Sequence, residues 1–229
     1  MPPALPPLPA APPSPGAQDD RAALLALLRD PRAAAAAGAG SGGSTPRALI
    51  ERLERERPAD LRRDAPLLQG VWELRWSSSP LPYLAVAPWL ENLQLLDPPR
   101  GRGMNLLRLG GPLGPLAGVA VEAAVAIEPA AAEDPCQRVS VRFERGGWLG
   151  PRVGEGRLQL LREVRQSFPA WLDITVLDQD LRVCRGNAGT LFALLRRPDL
   201  RLEDWLPSAE GVDPPGLPVP PAPRGPGAG

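Results

Sequence analysis

The sequence predicts a mainly β protein: one antiparallel barrel or sandwich, two helices at its N-terminal end, and disordered proline-rich tails. Three observations carry this. From Gly70 onward apolar residues recur with a period of two, the spacing of a strand with one face inward. Helical spacing is confined to the region before that point. Of the 32 prolines, 8 lie within residues 1–15 and 8 at or beyond Pro207, so half sit in the two ends.

Those ends set the boundaries, with residues 1–18 and 207–229 as tails and 19–206 as the folded unit. Helices are expected over about 20–57 and the barrel over about 67–206. In the first helix Asp20 stands as a cap before RAALLALLR, where Leu24, Leu27 and Leu28 share a face. A linker follows over roughly 31–43. The second helix has Thr45 as N-cap, Pro46 at its first position, Leu49, Ile50 and Leu53 as its stripe, and Pro58 beyond its end. Neither face is wide enough to form a core alone, so both helices must pack on something else.

The clearest strand is GVAVEAAVAIE, in which Val119, Val121, Ala123, Val125 and Ile127 alternate with alanine or acid. QRVSVRF repeats the pattern with Val139, Val141 and Phe143. Further strands are expected over 71–78, 91–96, 103–109, 157–164, 171–177, 180–185 and 190–196, punctuated by glycine and proline. In GVWELRW, Trp72, Leu74 and Trp76 fall on one face, and closing a barrel brings this first strand beside the last ones. If Ala120, Ala124 and Ala126 face inward they leave volume; if the valine face does, the interior packs more fully. Trp148 is placed in a GGWLGP turn, as an end-plug or an interfacial anchor.

Composition excludes several kinds of chemistry. All 26 basic residues are arginine and histidine is absent, so Schiff-base lysines, P-loop lysines, histidine metal ligands and Ser-His-Asp triads do not arise. With 26 acidic residues the formal net charge is zero, which gives no field to attract nucleic acid. Cys136 and Cys184 lack CxxC spacing, and two cysteines in 229 residues do not make a disulfide scaffold. No apolar run approaches the ~20 residues that span a bilayer, and the N-terminus does not read as a signal peptide, so a cytoplasmic protein, at most peripheral to a membrane, is expected.

The densest chemistry lies in LDQDLRVCRGNAGT, Leu177 to Thr190. It lacks the lysine of a phosphate loop. Asp178 and Asp180 flank Gln179 in what reads as a hairpin turn, where aspartate bonds the local backbone, rather than as an acid–base pair. Arg182 and Arg185 are harder to place, because an arginine in a strand must face water, a carboxylate or an aromatic ring. Asp173 is the candidate charge and Trp72 the candidate ring, with an arginine over Trp72 sealing one barrel end. Cys184 reads as a small packed residue.

GVWELRWSSSP and PAWLDITVLDQDLRVCRGNAGTLFALLRR together resemble the plastid lipid-associated protein family, also called the fibrillin or plastoglobulin family, and its cyanobacterial members in particular. The usual opening is Gly-x-Trp-x-Leu-x-Tyr-Thr-Ser-Ser. Here Trp76-Ser77 replaces Tyr-Thr, and Val176 replaces a tyrosine of the closing motif. The matching positions are Gly70, Trp72, Asp173, Thr175, Asp178, Leu181, Arg182, Arg185 and Gly186.

The resemblance implies a lipocalin-like β-barrel that holds or coats lipids, carotenoids or prenylquinones at thylakoid membranes or lipid droplets, with a part in photosynthetic membrane maintenance or photoprotection. It implies no catalytic residue, metal or cofactor. The other reading is a protein partner of an isoprenoid- or quinone-synthesising enzyme. Candidate ligand-binding residues are Trp72, Trp76, Asp173, Thr175, Asp178, Arg182 and Arg185. Tyr83, Val86 and Trp89, between prolines, are the candidate apolar lip at the mouth.

Overall fold

The computed structural model describes residues 15–30, 45–79, 89–111, 114, 116–154 and 156–206. Three helices precede the sheet: α1 (Pro15–Arg29), α2 (Pro46–Glu56) and α3 (Leu61–Leu68). Nine strands follow: β1 (Gly70–Ser77), β2 (Leu90–Asp97), β3 (Arg102–Leu109), β4 (Gly118–Ile127), β5 (Arg138–Val153), β6 (Gly156–Glu163), β7 (Ala170–Leu177), β8 (Leu181–Gly186) and β9 (Leu191–Arg196). Every pairing is antiparallel, and the order β4-β3-β2-β1-β9-β8-β7-β5 returns to β4. Eight strands therefore close a lipocalin-like barrel, with β6 an added strand on the far half of β5.

Alternation chooses the faces, and bulges bend the sheet. The expected odd-numbered face of β4 points inward, with Val125 buried beside Val139 of β5, Ile174 of β7 and Leu194 of β9. Ala120 faces out, buried under Leu149, Leu202 and Trp205. The register shifts by one residue in β1 between Leu74 and Trp76, in β7 between Ile174 and Val176, and where β4 meets β5 between Glu122 and Ala123. Each shift adds local twist, which a sheet needs in order to close on itself.

The helices cover what alternation leaves apolar outside. Leu24, Leu25 and Leu28 of α1 and Leu49, Ile50 and Leu53 of α2 bury Val176, Leu181, Val183, Leu191 and Ala193. The expected caps of α2 are present: Thr45 Oγ1 accepts from Ala48 N–H at 3.3 Å, and Pro46 opens the helix. Asp20 is not a cap. Helix α1 begins five residues earlier, at Pro15, and Asp20 in its middle takes Arg52 of α2 at 2.6 Å, tying the two helices together.

Helix α3 was not expected. Its sequence holds Pro66, which masks the helical pattern, but Asp60 caps it by accepting from Arg62 N–H at 3.0 Å. Leu61 and Leu68 close one end of the barrel interior. Strand β5 also runs past its expected end, so Trp148 lies in a strand, 42% exposed, and is neither a turn residue nor a buried plug. Gly147 permits this: its φ is 155°, and a Cβ there would stand 2.1 Å from the Leu160 carbonyl oxygen of β6.

Gly70 has the same kind of requirement. Its φ is 137°, and a Cβ would stand 2.5 Å from a guanidinium nitrogen of Arg196. Gly70→Ala should therefore destabilise the protein by about 1–3 kcal/mol, through backbone strain and displacement of Arg196. Urea denaturation checks this; an unchanged midpoint would refute the packing of Arg196 against Gly70.

Candidate functional site

Trp72 is fully buried on the inner face, and its indole N–H donates to the Leu68 carbonyl at 3.0 Å. Two guanidinium groups approach its ring, Arg196 at 4.3 Å and Arg182 at 5.3 Å from the centroid. Arg196 was not singled out from the sequence, yet it is the closer. It pairs with Trp72 across β1 and β9 and donates to the carbonyls of Leu67, Gln69 at 2.9 Å and Gln179 at 2.6 Å. Carbonyls at the end of α3 lack helical partners, so a cation there supplies both hydrogen bonds and a favourable charge. The signal was the second arginine-bearing end of TLFALLRR, which alternation places on the inner face.

Arg182 and Arg185 separate to opposite faces, as residues three apart in a strand must. Arg185 faces outward and forms an ion pair with Glu54 of α2. Arg182 points inward, fully buried, and reaches across the interior from β8 to donate through Nη2 to Gln94 of β2. Its Nε and Nη1 have no partner among the described residues. Burial lowers this guanidinium to about 10, so it stays charged at neutral pH. Cys184, beside it and equally buried, is pushed up to about 11 by burial and is a neutral packed thiol. Both cysteines are free and buried.

The remaining sequence candidates tie the shell together. Asp173 does not serve Arg182 or Arg185. It takes Arg138 of β5 at 2.8 Å, and that guanidinium lies 4.0 Å from the Trp171 ring centroid. Thr175 is buried at the β7 bulge, where its hydroxyl donates to the Val183 carbonyl at 3.5 Å. Trp76 does not share the face of Trp72 and Leu74. The β1 bulge turns it outward, where it packs with the α1–α2 core. Tyr83 and Val86 lie outside the described residues, and Trp89 is 64% exposed just before β2.

Asp178 does two jobs. Its Oδ1 accepts from the N–H groups of Asp180 and Leu181, both at 2.9 Å, which builds the expected turn. Its carboxylate also takes Arg21 of α1 at 2.7 and 2.9 Å. Burial pushes the Asp178 pKa up, but Arg21 and the two backbone donors outweigh it and hold the group below its ordinary range.

Inside the barrel is a cavity of about 440 Å³, within the range of small-molecule sites. Its walls include Leu96, Ala123, Val141, Leu172 and Phe192, with Gln94 and Asn105 as polar members. Phe168, 60% exposed, is at its rim. The valine face is inward, yet the interior is not filled. Small residues at Gly103, Ala123, Ala170 and Gly186 leave the volume. Among the described residues, none of the candidate ligand-binding side chains lines it, and of the motif positions Gly186 does. A further part of the lining, Ala170, Leu172 and Phe192, falls inside the closing motif, but on strand positions that were not singled out there. No group of three or more potential metal ligands, and no helix long and apolar enough to cross a membrane, occurs among the described residues.

An eight-stranded barrel, plugged at one end and hollow at the other, defines a lipocalin-like protein with a small apolar chamber. The PAP_fibrillin family model matches residues 45–195, and the chain belongs to that family, the plastid lipid-associated proteins or fibrillins. Comparison with curated proteins and with solved structures gives no match.

The Asp178 clamp is pH-dependent. A carboxylate whose folded pKa lies below the ordinary 3.8 contributes stability that is full above that value and is lost as pH falls through the folded one. Acid unfolding below about pH 4 should weaken α1 docking, and Asp178→Asn should flatten that limb of the stability curve while lowering stability at pH 7. Denaturant midpoints between pH 2 and 7 measure it; a parallel pH profile in the variant would refute the clamp.

Proposed function

We propose that the barrel holds an apolar small molecule (a lipid, carotenoid or prenylquinone) in its lumen, acting as a carrier or scaffold rather than an enzyme. The cavity of about 440 Å³, walled mainly by apolar side chains, carries this reading. The part-buried carboxylate Asp178 and the buried thiol Cys184 are engaged in turn geometry and packing, which leaves neither poised for acid–base or nucleophilic work.

The surface supports a site of action. Leu107, Val119, Trp148 and Leu160 are aligned across β3, β4, β5 and β6, extending the inner face of the sheet outward beyond the closed part of the barrel. Val119, Trp148 and Leu160 are 58%, 42% and 64% exposed. An apolar row of this kind marks a contact surface. It suits peripheral docking to a thylakoid membrane or lipid droplet of a photosynthetic cell, in a cyanobacterial-type member of the family, with a part in membrane maintenance or photoprotection.

Full-length protein exposed to a thylakoid lipid extract should retain apolar molecules detectable by mass spectrometry after organic extraction. Filling the lumen by Ala123→Leu should cut the retained load roughly tenfold with the far-UV circular dichroism unchanged, since volume and not folding is altered. Wild-type protein that retains nothing, or an undiminished load in the variant, would contradict the lumen as the binding site.

A further inference from the structure

Arg182 presents a physical problem that the fold alone does not solve. It is fully buried, yet no carboxylate pairs with it among the described residues. The charged or ionisable groups that act on it are Arg196, which repels it, and the neutral thiol of Cys184. Two of its donors, Nε and Nη1, have no acceptor among the described residues. A buried cation without a partner costs several kcal/mol, and an isolated one is ordinarily replaced by an apolar residue or neutralised. Arg196, the other guanidinium near the Trp72 ring, is satisfied by three carbonyls; Arg182 is not.

The one hydrogen-bond partner of Arg182 among the described residues connects it to the cavity. A guanidinium carries only donors, so the atom of Gln94 that meets it must be the carbonyl oxygen Oε1. That fixes the amide: Gln94 also lines the cavity, and its remaining polar group there is the NH₂, a donor polarised by the charge behind it. Asn105, its neighbour across β2 and β3, lines the same wall and adds a second amide. The rest of that chamber is mostly apolar. A positive, donor-rich spot in an otherwise greasy cavity recognises a ligand with an apolar body and one anionic acceptor at its end.

We propose that the lumen selects an apolar chain ending in a carboxylate, whose oxygens meet the Gln94 amide while its charge compensates Arg182. The inference rests on the lumen reading above and narrows it, from apolar molecules in general to long-chain monocarboxylic acids. Hydrocarbon carotenoids and uncharged quinones supply no anion to balance the guanidinium. The carboxylate and the guanidinium then bracket the Gln94 amide, and their mutual attraction offsets part of the desolvation cost of each.

The test uses delipidated full-length protein and three probes of matched chain: oleate, methyl oleate and the hydrocarbon octadecene. Wild-type protein should bind oleate at least tenfold more tightly than methyl oleate, and methyl oleate at least as well as octadecene, whose chain brings no acceptor to the Gln94 amide. Gln94→Glu supplies the missing carboxylate from the protein itself. It should raise the melting temperature, because Arg182 gains a partner, and weaken oleate binding tenfold or more, abolishing the preference for oleate over methyl oleate. Arg182→Met should remove the preference for the acid while keeping the neutral probes.

Equal affinity of wild-type protein for oleate and methyl oleate, with both bound, would overturn the acid selectivity and leave the lumen reading standing. Unchanged oleate affinity in Gln94→Glu would also overturn it. Failure of all three probes to bind would overturn this inference and the lumen reading together.

Discussion

Closing a sheet into a barrel demands that its first and last strands meet in register, and here the demand is met around one side chain. Trp72 of β1 is opposite Arg196 of β9 and Gln94 of β2, and its ring lies near both Arg196 and Arg182. Gly70 supplies the space for Arg196, and α3 supplies the carbonyls that hold it. A cation over an indole in a desolvated site gains more than it would in water. Because this plug occupies one end, the remaining interior opens only toward the other. Plug and chamber are thus one design, with bulky residues where the strands must be locked and small ones where volume must remain.

The outer shell obeys a different economy. Arginine is the chain's only strong cation, and its planar fork pairs bidentately with carboxylates at several seams. Arg21 holds α1 to the β7–β8 turn, Arg52 joins α1 to α2, and Arg185 joins β8 to α2. Arg197 bridges Glu73 and Glu91, while Arg108 meets the same Glu91 and lies 4.9 Å from the Trp205 ring centroid. These networks position the helices and the C-terminal segment on apolar surfaces that already need covering. They specify orientation more than they add stability, since partly exposed pairs contribute little each.

Much of this architecture was legible in the sequence, and the parts that were not share a physical cause. Period-two alternation marked the clearest strands, and glycine and proline punctuation placed the others. The Thr45-Pro46 start of α2 and the Asp178 turn were legible because their chemistry is local. Faces were lost wherever a bulge intervenes. Trp76 reads as a partner of Trp72 only if β1 is regular, and one extra residue sends it to the other side. Helix α3 was obscured by Pro66, and the long reach of β5 by Gly146 and Gly147, which read as a turn but serve as a close approach between strands. The lumen itself was the least visible. Gln94 and Ala123 are ordinary strand residues until the closed sheet brings them together, and Arg182 could be assigned a ring but not a direction.

The account turns on the Trp72–Arg196 contact as the lock that plugs one end and so defines the chamber at the other. A double-mutant cycle of Trp72→Leu and Arg196→Met, read by equilibrium denaturation, measures that contact directly. The account predicts a coupling energy of about 1 kcal/mol or more, as for a desolvated cation–π pair. Effects that add to within about 0.5 kcal/mol would show that the two side chains are independent, and would contradict it.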